Sequence, residues 1–266
     1  PPPHFQAEDG IRDALVGLVG SEMCIRDRET TVRSGDIIGV SSWSATLLGM
    51  VDAMHPVSGV KDVRVVQILG GGGDPAAEGH ATHLVRRLTD LLHGEGTFLP
   101  APSSVSSAQA RDVLLEDPFV ARAVALFDEL DVAYVGIGGQ ETSGLLASSG
   151  NVFSPEELRT VREAGAIGDI GLRYLCVDGR PVDTPLDDRV IGIELEQLKQ
   201  APRSVAVAGG PGKTEAIHAA LVGGWINCLI TDTYTAERLL AMGADTNGTQ
   251  ALEEEDVKQP MGAVVA

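Results

Sequence analysis

The sequence predicts an α/β fold: an open, mostly parallel sheet with helices on both faces and a small antiparallel insertion. Short apolar runs bounded by glycines alternate with stretches of helical periodicity, which is typical of strands joined by crossover helices. The 266 residues are 43% hydrophobic but only 4% aromatic, and they include 32 glycines. This composition fits a single α/β domain with many short turns.

Five strand and helix pairs follow the alternation. The strands are predicted at 36–40, 63–69, 132–137, 204–208 and 228–230. The helices that follow them are predicted at 46–54, 77–92, 155–164, 214–221 and 235–240. Between residues 169 and 192 the pattern changes to apolar segments at 172–177 and 189–191, with a turn at 178–181, so we expect the antiparallel insertion there.

The two ends of the chain fall outside this pattern. Residues 5–13 and 18–28 resemble translations of two sequencing-library adapters in their library order, so 1–28 are interpreted as an adapter-derived segment and the natural sequence is expected from near Glu29. Residues 244–266 contain the acidic run 253–256 and little apolar periodicity, and they are expected to form a disordered tail. The predicted domain therefore spans 29–243.

Charge and cysteine usage argue against several classes of protein. The chain has 38 acidic and 20 basic residues and a net charge of −18, which argues against this segment itself binding nucleic acid. Cys176 and Cys228 lie in apolar runs without CxxC or metal-ligand spacing. We expect buried free thiols in a reducing cytoplasm, with no metal site and no cofactor. No apolar run approaches the roughly 20 residues that cross a bilayer.

A glycine-rich turn near the C-terminus is the strongest functional signal. Gly209, Gly210 and Lys213 lie between a predicted strand and a predicted helix. Backbone N–H groups at a helix start, with a lysine beside them, bind anions such as phosphate. The Walker A pattern of nucleoside-triphosphate-binding loops fits at 212–214 but fails at Val207, where it requires glycine. A plain turn from strand to helix is the other open interpretation.

The other predicted strands end in loops that are rich in glycine or hydroxyl residues. Ligands of open parallel sheets bind outside the carboxyl ends of the strands, so these loops form the candidate site. The candidate ligand-binding residues in them are Ser44, Thr46, Gly70, Gly71, Gly72, Gly138, Gly139 and Asp169. Each has a structural alternative, because hydroxyl residues cap helices and both glycine and aspartate favour turns.

The strand-end motifs, in their order and spacing, resemble the sugar-binding domain of the SorC/DeoR-type bacterial transcriptional regulators. They lie at 39–46, around Gly70, and at 135–139, 168–171, 188–193 and 208–213. The resemblance covers roughly residues 35–242. It implies a fold similar to that of sugar-phosphate isomerases, such as glucosamine-6-phosphate and ribose-5-phosphate isomerases, used here to sense a sugar rather than convert it.

The resemblance also implies roles for four of the candidate residues. The helix start at Ser44 and Thr46 would contact the effector, Asp169 would bind sugar hydroxyls, and Lys213 would bind phosphate. Arg189 is expected to be structural, paired with a neighbouring aspartate.

Two positions depart from the family pattern. Ala45 stands where family members often have a second hydroxyl residue. Ile68 and Leu69 precede the Gly70 turn, without the basic residue that some members have near it. Part of the effector contact expected from the resemblance is therefore absent at these positions.

The function that these observations favour is a non-enzymatic effector domain. The resemblance implies a dimer or tetramer whose subunit arrangement changes when a phosphorylated sugar binds, and a winged or simple helix-turn-helix domain upstream of this segment that binds DNA. The alternative is a sugar-phosphate isomerase or deaminase of the same superfamily. That reaction needs a carboxylate general base, for which Asp169 is the clear candidate in the loops. A nucleoside-triphosphate switch is a third class, weakened by Val207.

Overall fold

The computed structural model describes residues 32–72, 75–139, 153–247 and 263–265. Its main sheet is built from β1 (Ile37–Val40), β2 (Arg64–Gln67), β3 (Glu95–Thr97), β4 (Val132–Val135), β7 (Arg203–Val207), β8 (Cys228–Thr231) and β9 (Ala263–Val265). The spatial order of the seven strands is β3-β2-β1-β4-β7-β8-β9. Every neighbouring pair is parallel.

Both faces of the central strands are buried. Successive residues of a strand point to opposite faces of the sheet, and here both sets of residues pack in apolar clusters. In β1, Ile37 packs in one apolar cluster and Ile38 in the other. In β4, Ala133 and Tyr134 are divided between the same two clusters. The prediction of a mostly parallel sheet covered on both faces is confirmed.

Helices cover these two faces. The α-helices are α1 (Ala45–Asp52), α2 (Pro75–Leu92), α3 (Ala108–Leu115), α4 (Pro118–Val124), α5 (Pro155–Glu163), α6 (Leu195–Gln200), α7 (Thr214–Val222) and α8 (Thr233–Asn247). Short 3₁₀ helices lie at Ala125–Glu129, Asp187–Arg189 and Pro211–Lys213. Leu47 of α1 and Leu84 of α2 pack on one face, whereas Val120 of α4, Leu198 of α6 and Ile217 of α7 pack on the other.

A two-stranded antiparallel hairpin, β5 (Gly168–Ile170) and β6 (Arg173–Leu175), is attached beside the sheet. The predicted turn at 178–181 is present, since the N–H of Cys176 donates to the carbonyl oxygen of Arg180 at 2.8 Å. The predicted segment 189–191 does not pair with this hairpin. Its Val190 instead forms a bridge with Ser104. The antiparallel insertion is thus confirmed, but the strand that pairs with β6 is β5, which directly precedes it, and not the segment 189–191.

The predicted domain boundary at residue 243 does not coincide with the end of an element. Helix α8 continues to Asn247, and Ala263–Val265 of the predicted disordered tail forms strand β9 beside β8. The rest of that tail lies outside the described residues, and so do residues 1–31, which include the adapter-like segment. Within the described ranges, no helix combines the length and apolar character needed to cross a membrane.

Candidate functional site

The order of the strands reverses between β1 and β4. Strands β2 and β3 lie on one side of β1, whereas β4, β7, β8 and β9 lie on the other. In open parallel sheets, ligands bind outside the carboxyl ends of the strands at such a switch point. Two predicted site loops leave the sheet here: the loop from β1 to Ser44, and residues 136–139 after β4, which we call the switch-point loop.

Ser44 begins α1 at this switch point. Its Oγ accepts a hydrogen bond of 3.2 Å from the N–H of Leu47, so the side chain caps the helix. The same Oγ faces the switch-point loop, because a Cβ added to Gly136 would lie 2.7 Å from it. Thr46 lies in the first turn of α1 and is half-buried. The hydroxyl of Ser44 therefore caps α1 and also lies at the switch point.

The switch-point loop also contacts the loops that carry Asp169 and Lys213. The backbone groups of Gly138 and Asp169 exchange hydrogen bonds of 2.9 and 3.2 Å. A Cβ added to Gly138 would lie 1.9 Å from Asp169 Oδ1, and one added to Gly139 would lie 2.8 Å from the carbonyl oxygen of Gly212 and 3.6 Å from Lys213 Cγ. The distances of 1.9 and 2.8 Å are too short for a Cβ atom, so a side chain at either position would force its neighbour to move. Glycine at these positions allows the carboxylate and the lysine loop to approach one short segment.

The β5–β6 hairpin positions the Asp169 side chain. Its Oδ2 accepts a 2.9 Å hydrogen bond from the N–H of Leu172, which lies in the hairpin turn. Both turn residues have left-handed backbones, with φ of 58° at Gly171 and 66° at Leu172. Burial raises the pKa of the Asp169 carboxyl, against the opposing effects of the Leu172 N–H and the positive charge of Lys213. A carboxyl group in this setting is suited to hydrogen bonds with sugar hydroxyls.

Lys213 follows the predicted order of strand, glycine turn and helix. It ends the 3₁₀ turn Pro211–Lys213, and α7 begins at Thr214. The chain enters this turn through Gly210, whose φ of 97° favours glycine. Burial lowers the pKa of the half-buried Lys213, and the negative charge of Asp169 partly offsets that effect. A cation thus lies at a helix start, where anions are stabilised.

Asp232 fixes the glycine turn from the start of α8. The N–H of Gly210 donates to Asp232 Oδ2 at 3.0 Å and to Thr235 Oγ1 at 2.9 Å. The N–H of Thr235 also donates to Asp232 Oδ1 at 2.8 Å. Burial alone would raise the pKa of Asp232, but the hydrogen bonds from Thr235 and Gly210 hold it below its ordinary value. A Cβ on Gly209 would lie 2.3 Å from Asp232 Oδ2, so glycine is needed there as well.

Asp232 is not among the site residues predicted from the sequence. The available signal was an aspartate that directly follows a strand and precedes a helix by one residue, which is the position of a helix cap.

The glycines after β2 have a packing role. A Cβ on Gly70 would lie 2.2 Å from the carbonyl oxygen of Pro102, and one on Gly71 would lie 2.4 Å from Gln67 Nε2. The indole N–H of Trp43 donates to the carbonyl oxygen of Gly70 at 2.8 Å. Gly72 bridges to Pro102. Gly70–Gly72 therefore lie beside the loop after β1, and the described contacts do not join them to Asp169 or Lys213.

Comparison with known proteins identifies the same part of the chain. The family model described as "Putative sugar-binding domain" matches residues 19–241. The match begins inside the segment interpreted as adapter-derived, and that interpretation stays a prediction. The deoxyribonucleoside regulator of Bacillus subtilis is 31% identical over 210 residues, which cover 79% of this chain and 66% of the relative.

Two further similarities agree with this result. The transcriptional regulator LsrR of Klebsiella pneumoniae is 31% identical over 247 residues, covering 92% of this chain and 69% of the relative. The crystal structure of the full-length sorbitol operon regulator SorC from Klebsiella pneumoniae superposes with a TM-score of 0.75 at 27% identity, covering 86% of this chain and 72% of that one. The match thus spans 66% of the first curated relative and 69% of the second.

Proposed function

Since the chain belongs to the family of sugar-binding domains homologous to those of bacterial transcriptional regulators, we propose that it is an effector domain that binds a phosphorylated sugar at the switch point. The observation that carries this proposal is the contact of the switch-point loop with both Asp169 and the Lys213 turn. Together with Ser44, these groups offer a hydroxyl, a carboxyl and a cation around one segment.

The chemistry of each group suits one part of such a ligand. The ammonium of Lys213 and the N–H groups at the start of α7 bind the phosphate. The carboxyl of Asp169 accepts hydrogen bonds from sugar hydroxyls, which selects a carbohydrate over inorganic phosphate. Ser44 and Thr46 at the start of α1 bind further oxygens of the ligand. The lack of side chains at Gly138 and Gly139 lets the Asp169 carboxyl and the Lys213 turn come together at the switch-point loop.

The regulatory part of the proposal concerns the whole protein. The matched region covers 66% of the deoxyribonucleoside regulator. In this proposal, DNA is bound by a helix-turn-helix domain outside the segment described here. The sugar acts by stabilising one arrangement of the subunits of a dimer or tetramer, because a ligand shifts an equilibrium only by binding one state more tightly. The acidic balance of this segment, with a net charge of −18, fits a domain that does not itself contact DNA.

A sugar-phosphate isomerase or deaminase is the alternative function. Its chemistry needs a general base and a partner acid around the reacting carbons. Asp169 is one candidate base, but Asp232, which follows β8, is committed to the N–H groups of Gly210 and Thr235. Asp232 is therefore not available as the partner acid. The effector function is favoured for this reason.

A thermal-shift screen of the chain with sugars, sugar phosphates and nucleotides tests the proposal. A ligand that binds only the folded state raises the melting temperature by mass action. We expect a shift with at least one sugar phosphate and a smaller shift with the matching free sugar. The same samples are then assayed for conversion of the sugar phosphate. A response restricted to ATP or GTP, or turnover of the sugar phosphate, would replace the effector function with a nucleotide switch or an enzyme.

A further inference from the structure

The hairpin that carries Asp169 belongs to a row of paired segments that starts at the switch-point loop. Gly138 pairs with Asp169, and Asp169 is the direct cross-strand partner of Tyr174. The N–H of Val182 in turn donates to the carbonyl oxygen of Tyr174 at 2.9 Å. Adjacent segments in such a row lie about 5 Å apart. Tyr174 is therefore one step beyond Asp169, on the side opposite Gly138.

Tyr174 and Asp169 project from the same face of the hairpin, because directly opposed residues of an antiparallel pair share a face. The residues on the other face, Ile170 and Leu175, pack into the main core beside α7. Tyr174 packs instead against the apolar cluster that contains Trp43 and Leu172. Burial raises the pKa of Tyr174, and the negative charge of Asp169 adds to the rise, so the phenol is neutral beside the carboxyl.

Tyr174 is held by a contact to its ring and by the anchoring of its strand. Phe153 packs against it, with ring centroids 6.3 Å apart and planes tilted by 47°. The preceding residue, Arg173, donates to the carbonyl oxygen of Asp187 at 2.8 Å and to Glu194 Oε1 at 2.7 Å, which anchors the hairpin. Tyr174 is half-buried rather than enclosed.

We infer that Tyr174 is a second sugar-contacting residue, which touches the end of a bound sugar phosphate farthest from the phosphate. The inference rests on the proposed function and deepens it. Lys213 holds the phosphate, Asp169 binds the hydroxyls near it, and Tyr174 lies one strand spacing farther along the row. An aromatic ring with a hydroxyl matches both the C–H face and the hydroxyl groups of a sugar. The row therefore selects pentose or hexose phosphates over phosphates with a shorter carbon skeleton.

Titration calorimetry of the whole chain with two probes tests this assignment. One probe is the tightest-binding pentose or hexose phosphate of the screen, and the other is glycerol 3-phosphate. We expect Tyr174→Leu to weaken the longer ligand about tenfold and to leave glycerol 3-phosphate unchanged. Tyr174→Phe keeps the ring packing and reports on the hydroxyl alone. Val177→Ala, at a position that is 61% exposed on the same chain segment, is the matched control and is expected to bind both probes normally.

The outcomes separate this inference from the proposed function. A selective loss for the longer ligand in either tyrosine variant supports the assignment. Equal losses for both probes show that Tyr174 acts through packing, and that overturns it. If Tyr174→Leu does not fold, unchanged binding by Tyr174→Phe overturns it as well. If the unaltered chain binds no sugar phosphate, the proposed function fails and the Tyr174 assignment fails with it.

Discussion

The carboxylate of Asp169 occupies the space that a side chain at position 138 would need. A Cβ on Gly138 would lie 1.9 Å from Asp169 Oδ1, while the backbones of the two residues exchange hydrogen bonds. The pair joins the hairpin to the switch-point loop of the main sheet. Through it, the carboxyl group reaches the switch point although its strand is not part of that sheet.

Gly138→Ala is expected to move the carboxylate away from the switch point. The added methyl group overlaps with both Oδ1 and Cγ of Asp169, and overpacking of this kind costs about 1–3 kcal/mol of stability. Sugar-phosphate affinity should fall at least tenfold. Gly79→Ala is the control, because a Cβ on this helical glycine meets no atom within 4 Å and alanine favours helix. Chemical denaturation and calorimetry measure both effects, and wild-type affinity in Gly138→Ala would contradict the role of this contact.

Much of the fold could be predicted because its signals are local. The buried strands β1, β4 and β7 are apolar runs, each followed within two residues by a glycine or a serine. The strands predicted at 36–40, 132–137 and 204–208 overlap these elements. Helix α3 was missed because none of its residues is fully buried and its large apolar residues form one short run, Val113–Leu115, at its C-terminal end. Strand β3 was missed because Glu95–Thr97 is a short and largely exposed edge strand.

The site was predictable only in part, for a different reason. The glycine turn before Lys213 is a local motif that the sequence shows directly. The contact between Gly138 and Asp169 joins distant parts of the chain, and no local pattern encodes it. The same holds for Arg189, which was expected to be structural with a neighbouring aspartate as partner. The structure pairs it with Glu157 of α5 instead, and its guanidinium lies 5.3 Å from the centre of the Phe153 ring.

Lys213→Ala should weaken a sugar phosphate far more than the matching free sugar. The loss expected for a charged hydrogen bond is about 1.5–3 kcal/mol. Affinity of the unaltered chain should also fall as pH rises through the pKa of Lys213, because only the ammonium attracts phosphate. Burial lowers that pKa, so the fall begins at a lower pH than for an exposed lysine. Calorimetry with both ligands over a pH series measures this, and equal losses for the two ligands would remove Lys213 from the phosphate site.

Asp169→Asn should separate stability from ligand binding. Burial raises the pKa of Asp169 in the folded state, so its ionisation opposes folding. The stability associated with this group is fully present below the carboxyl pKa of the unfolded chain, about 3.9, and is lost as pH rises through the raised folded pKa. Asparagine keeps an oxygen to accept from the Leu172 N–H and removes this loss. At pH 7 the ligand-free variant should therefore be at least as stable as the unaltered chain, yet bind the sugar more weakly. A less stable variant in urea denaturation would show that the carboxylate itself stabilises the hairpin.

The ion pair between Arg189 and Glu157 should make the free energy of unfolding depend on pH in the acid range. The hydrogen bond from Arg189 is the main cause that lowers the pKa of Glu157 from its ordinary value of 4.5 to about 2. For a depressed carboxyl, stability is fully present above the unfolded pKa and is lost as pH falls through the folded pKa. Arg189→Met removes the charged partner, the hydrogen bond to the Val105 carbonyl oxygen and the contact with the Phe153 ring. The variant should be less stable at pH 7 and should lose less additional stability between about pH 5 and pH 2.

Denaturant titrations across this range measure how the free energy of unfolding changes with pH. Arg159→Met is the control, because Arg159 forms only exposed pairs with Glu156 and Glu163 among the described contacts. The same slope in Arg189→Met as in the unaltered chain would show that Glu157 is not the group that titrates with folding.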